Sequence, residues 1–271
     1  MRRPDRLALL GLAAAAAAFG TPASAATTTW NFNAGSPTCS MSGSGDGLSR
    51  NCGPGPTVTA TGWANTGGAS NTLLEQAYLP LWGGGLGVEN RDRPGGPGDG
   101  RDDTENSGSN GEHAIDNEDR KDAVLLSFSA PVMLTDIQIG WKGAGSDMTV
   151  LAFTGGDGGA GCAAIAGQTY AALTTCGWNF VRHIGNVPTG TSQSINNASV
   201  YSQLWLVGSY ISTIATGSAT NVQTIGTLGA ASDHVKLLSV TGDPNGRVPE
   251  PGTAALLGIA ALGFWRLRRK G

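Results

Sequence analysis

Glycine constrains this chain more than any other residue. It occupies 43 of 271 positions, roughly twice ordinary usage. Each glycine weakens a helix by about 1 kcal/mol relative to alanine, while the Thr, Val and Trp residues scattered between the glycines suit short strands. No G-x-y period runs through the chain, which excludes a collagen-like rod. Charged residues make up only 14%, so this is not the composition of a charge-rich disordered protein. With a net charge of −3, nothing supports a general attraction to nucleic acid.

The overall charge conceals three parts. Arg2, Arg3 and Arg6 open the chain, followed by the apolar run Leu7–Gly20 and by Ala23-Ser24-Ala25. A basic start, a short apolar run and a small-x-small site form the order of a secretory signal peptide, with Ala23 and Ala25 marking cleavage after residue 25. At the other end, Val248-Pro249-Glu250-Pro251 precedes the apolar stretch Gly252–Trp265 and then Arg266, Arg268, Arg269 and Lys270. Fourteen helical residues span about 21 Å, against a hydrocarbon core of about 30 Å. The expectation is a weak stop-transfer helix whose basic end stays cytoplasmic. Between the ends, 10 basic and 18 acidic residues leave a middle domain of net charge −8.

The order Pro-Glu-Pro, short apolar helix, terminal arginines resembles the PEP-CTERM sorting signal of Gram-negative bacteria. The resemblance implies recognition by exosortase, a membrane-embedded cysteine protease/transpeptidase acting near Val248, Pro249, Glu250 and Pro251. It implies an inner-membrane intermediate and delivery to the cell surface or exopolysaccharide matrix. The expected organisation is signal peptide 1–25, surface domain 26–247 and sorting signal 248–271.

An exported chain folds in an oxidising compartment. Its four cysteines, Cys39, Cys52, Cys162 and Cys176, allow three pairings. Local bridges 39–52 and 162–176 are expected, since each closes a short Gly-containing loop. The close Cys-x-x-Cys spacing of a zinc site is absent. Alternating runs predict strands over 27–32, 57–63, 124–128, 133–141, 148–153, 178–184, 200–212 and 235–241. Residues 73–81 read as a strand or a helical turn. Residues 130–131 read as a turn, and 133–141 with 148–153 as the clearest strand pair, joined across 143–147. The expected class is all-β: a Gly-rich antiparallel β-sandwich, jelly-roll-like, flanked by the signal peptide and the short transmembrane helix. No fixed-period repeat suggests a propeller or solenoid.

Residues 89–122 hold eleven acidic side chains against five basic ones. With Pro94, Pro97 and many glycines the segment is expected to be a long loop. The surrounding pattern Gly85-Leu86-Gly87-Val88-Glu89, His113-Ala114-Ile115-Asp116-Asn117, Asp122 through Phe128, Ile139-Gly140-Trp141 and Asp147 through Phe153 resembles a group of exosortase-dependent surface proteins. That resemblance implies a destination and no reaction.

Calcium is the sharpest chemical expectation. It takes six to eight oxygen ligands, and Glu89, Asp116, Asn117, Asp122 and Asp147 flank predicted strand ends. No EF-hand loop and no repeated G-G-x-G-x-D occurs. The competing reading is a solvated acidic loop paired with its own arginines. Catalysis has little to stand on: three histidines, no G-x-S-x-G and no H-E-x-x-H. Seven tryptophans, six of them spread over the predicted strands, read first as core residues; Trp82 and Trp141 are the two with a carbohydrate-contact alternative. Gly83-Gly84-Gly85 reads as a turn. The function expected is therefore structural or (poly)saccharide-binding, with a secreted polysaccharide-active enzyme as the rival.

Overall fold

In the computed structural model the described residues are 27–35, 39–41, 48–68, 70–93, 96–97, 113–155, 162–195, 199–214 and 225–244. Thr27–Gly246 forms one compact unit. The expected signal-peptide residues Ala23 and Ala25 and the sorting residues Val248–Pro251 lie outside the described residues, as does half of the acidic segment 89–122. No helix among the described residues is long and apolar enough to cross a membrane.

The elements are almost all strands. They run β1 (Thr28–Asn31), β2 (Cys39–Met41), β3 (Ser49–Cys52), β4 (Val58–Gly67), β5 (Leu73–Ala77), β6 (Leu81–Trp82), β7 (Gly85–Leu86), β8 (Asp92–Arg93) and β9 (Gly96–Pro97). After the acidic segment come β10 (Ile115–Asp116), β11 (Asp122–Lys142), β12 (Met148–Phe153), the single-turn helix α1 (Tyr170–Leu173), β13 (Trp178–Ile184), β14 (Gln193–Ser194), β15 (Ser202–Ser209) and β16 (His234–Asp243).

The all-β, antiparallel expectation holds, but the strands do not divide into two separate sheets. Fourteen of them are hydrogen-bonded into one, because β11 runs through both halves. Asp122–Phe128 pairs with β4 on one edge, and Ala123–Ser127 with β15 on the other. Beyond Val132 the strand changes partners, and Met133–Lys142 pairs with β16. The turn expected at 130–131 is instead a register irregularity between Ser127 and Val132. Proline has no N–H to give a ladder, so it sits where pairing lapses.

The expected pairing of 133–141 with 148–153 is also replaced. β15 lies between β11 and β12, pairing with both. The connection 143–147 is drawn toward 232–234 rather than into a hairpin turn: Gly143 N donates to His234 O (2.8 Å), Gly145 N to Ser232 O (3.2 Å) and His234 N to Gly145 O (3.1 Å). Short-range proximity loses here to a long-range backbone ladder.

Alternation along the strands builds two apolar layers. Val124, Leu126 and Phe128 of β11, Val150 and Ala152 of β12 and Trp205 and Val207 of β15 share one cluster with Leu134, Ile137, Ile139, Leu237 and Val240 from the other half of the sheet. Ala123, Leu151, Leu206 and Trp178 face a second cluster with Ile165, Tyr170 and Leu173 of the α1 segment. Thr169 caps α1, its hydroxyl accepting from Ala172 N at 3.1 Å. Truncating a fully buried Leu126 to Ala in such a core costs about 2–5 kcal/mol.

Three tryptophans fill the core as expected, each fully buried with its indole N–H on a backbone carbonyl. Trp30 donates to Pro56 O (2.8 Å), Trp178 to Cys162 O (3.0 Å) and Trp205 to Val132 O (3.1 Å). The cysteines pair locally, Cys39 with Cys52 and Cys162 with Cys176. The first bridge joins directly opposed residues of β2 and β3; the second closes the α1 segment over the second core.

Candidate functional site

Two places concentrate polar or aromatic chemistry. The first is a buried carboxylate node at the junction of 117, 147 and 233. Asp233 Oδ1 accepts from Asp147 N (2.7 Å), and its Oδ2 from Asn117 Nδ2 (2.8 Å). Asn117 returns the contact, its Oδ1 accepting from Asp233 N (2.8 Å), while its Nδ2 also reaches Tyr210 O (2.9 Å). Asp147 accepts from Asn186 N (2.7 Å) and Gly229 N (2.5 Å) on its two oxygens. Asp147 and Asp233 are almost fully buried. Burial pushes the Asp233 carboxyl up to about 6, and the neighbouring Asp147 charge adds to the rise against the hydrogen bonds that Asp233 accepts.

A cleft of about 250 Å³ opens beside this node, lined by Asn117, Lys121, Tyr210, Ser212 and Asp233 among others. His234 sits next to it, its Nε2 3.1 Å from Glu118 Oε2.

The structure brings together only part of the expected calcium set. Asn117 and Asp147 meet through Asp233. Asp116, at the end of β10, accepts from Glu118 N at 3.1 Å, and its backbone carbonyl from Ser209 Oγ at 2.6 Å. Asp122 is buried at the first position of β11. Glu89 is buried where its backbone pairs with Tyr78. Among the described residues no three His, Cys, Asp or Glu side chains converge as a metal would require. At Asp147, backbone N–H groups supply positive ends to both carboxylate oxygens. Asp233 escaped the sequence reading because it stands alone, outside the acidic segment. Its only signal is its place two residues before the last predicted strand.

The histidines are held within the fold. His183 Nδ1 lies 2.9 Å from Thr149 Oγ1, whose oxygen already accepts from Ile211 N. Its ring packs against Phe180 and Tyr210, and burial lowers its pKa to about 4. His113 stacks on Trp82, centroids 5.1 Å apart.

That stack belongs to the second place, on the outer surface of β6, β11 and β16. Trp82 and Gly85 close the β6–β7 hairpin. The Gly83-Gly84-Gly85 turn lets this hairpin lie directly on β11 and β16. A Cβ at Gly84 would stand 2.9 Å from Trp141 Cβ, and one at Gly85 (φ 116°) would stand 2.2 Å from Leu237 O. So close an approach sets Trp82 beside Trp141, and Lys236 is the cross-strand partner of Trp141. The Lys236 ammonium lies 5.0 Å from the centroid of each indole.

No curated protein and no solved structure matches this chain. The C-terminal end does match a family model: residues 247–270 fit the PEP-CTERM protein-sorting motif, against the expected 248–271. Signals of this family are processed by exosortase, and the motif implies export and sorting to the cell surface. The chain carries a PEP-CTERM protein-sorting motif at its C-terminal end.

Proposed function

We propose that this protein is a non-catalytic component of the bacterial exterior, released from its sorting tail by exosortase and serving there in a structural or saccharide-binding role. The observation that carries the reading is the sorting motif at residues 247–270. The domain ahead of it supports a passive role in two ways. Its strands are tied by two disulfides, which suits an oxidising exterior. Buried Asp147 accepts from backbone N–H groups on both oxygens, and the Thr149–His183 pair is buried away from solvent, with the Thr149 hydroxyl oxygen accepting from Ile211 N.

Replacing Pro249, Glu250 and Pro251 together by alanine tests the sorting part. The expected outcome is a full-mass protein, tail included, accumulating in the inner-membrane fraction, while the parent chain is recovered outside the cell at reduced mass. A variant that reaches the surface at the parent's mass overturns the reading. For the role itself, glycan binding without depolymerisation of the bound chains is expected of the purified protein; chain cleavage would favour the enzyme alternative.

A further inference from the structure

Trp82 leaves 41% of its surface in solvent, the larger of the two exposed large hydrophobic side chains among the described residues. Its exposure is built in. The hairpin that carries it is seated by glycine contacts on Trp141 and Leu237, and His113 stacks on the indole. A side chain exposed by chance needs no such support; a recognition aromatic has to be held rigid so that little freedom is lost on binding.

Lys236 supplies the second half. It is partly buried, and burial lowers its pKa. It has two indole neighbours and, among the described residues, no carboxylate partner. Cation–π contact offsets part of the desolvation, but an ammonium gains more from a charge-assisted hydrogen bond to an oxyanion. A complementary ligand therefore offers an apolar C–H face to an indole and an anion within reach of the adjacent ammonium. A pyranose ring bearing a carboxylate has both. The domain's net charge of −8 between its basic ends repels a densely charged polyanion, so the fit is to a chain in which acidic and neutral sugars alternate.

We propose that Trp82, Lys236 and Trp141 form a docking patch for a sparsely charged acidic polysaccharide. Trp82 stacks on a pyranose face, Lys236 pairs with the uronate carboxylate, and Trp141 holds the lysine in place. The proposal deepens the saccharide-binding part of the reading above. It is independent of how the chain is sorted, because the test is made in solution.

The full chain, purified in detergent, is titrated with hyaluronan oligosaccharides, which carry one carboxylate per disaccharide, and with uncharged cello-oligosaccharides of equal length. Binding is followed by calorimetry and indole fluorescence. Hyaluronan oligosaccharides are expected to bind at least about tenfold more tightly than the uncharged chain. Trp82→Ala should weaken both by about tenfold or more. Lys236→Met should remove the preference for the acidic chain and leave binding of the uncharged one unchanged. Tyr201→Ala, at the other exposed aromatic, should alter neither, and unchanged circular dichroism and melting of each variant show that the fold is intact. The proposal is overturned by failure of the hyaluronan oligosaccharides to bind, by equal affinity for both chains, or by binding that survives Trp82→Ala.

Discussion

Burial moves two ionisable groups of this core toward each other on the pH scale, Asp233 up to about 6 from 3.8 and His183 down to about 4 from 6.5. Their linkage to stability has opposite signs. The folded chain holds the Asp233 proton more tightly than the unfolded chain, so that contribution is present below pH 3.8 and disappears as pH rises through about 6. For His183 the unfolded chain holds the proton more tightly. Its contribution is present above pH 6.5 and disappears as pH falls through about 4. Between pH 4 and 6 the two slopes oppose, and urea unfolding should give a nearly level stability. Asp233→Asn should uncover a stability that rises with pH in that window, and His183→Asn one that falls. Parallel slopes in the two variants would refute the assignment. At Asp147 the charge matters less than the two acceptors. Asp147→Asn presents an amide N–H to Asn186 N or Gly229 N, and should cost about 1–3 kcal/mol, with or without calcium in the buffer.

At the scale of elements, the Gly84–Gly85 part of the turn is seated tightly on its neighbours. Gly85→Ala combines a positive φ with a Cβ 2.2 Å from Leu237 O. It should destabilise by more than about 1 kcal/mol and shift the Trp82 fluorescence, a change that thermal melts and emission spectra would register together. The disulfides differ in what they hold. Loss of Cys162–Cys176 uncovers the α1 segment from the second core, and should cost about 3 kcal/mol in the chain-entropy account of a loop this short. Loss of Cys39–Cys52 loosens a hairpin at β2 and β3, and hydrogen exchange should confine the change to those strands and their β4 partner. Most of these elements were legible from alternation: β12 and β13 stand where the pattern put them. The local disulfides were legible from spacing. The β2–β3 hairpin was not, since Cys39–Met41 and Ser49–Cys52 are too short for a period to register. Trp82 was legible as a candidate only. Its exposure depends on which strands β6 and β7 meet, and no local pattern encodes that. The Asp147–Asp233 contact spans 86 residues, beyond the reach of any local rule.

On the scale of the whole molecule, the order of strands in space departs from their order in the chain. β16 is the last strand among the described residues, yet it is an interior one. β11 borders it along one edge, and β1, β7 and β10 share the other. Among the described residues the first strand, β1, has only this last one as its ladder partner. A chain delivered through a membrane from its N-terminus must therefore wait, with β1 unpaired and the second half of β11 held only by its short contacts with 189–194, until residue 243 has emerged. The sorting motif begins four residues later, at 247. Closure of the sheet and arrival of the processing signal thus fall at nearly the same moment of export: a chain stalled before β16 would present neither a finished domain nor a tail to cut.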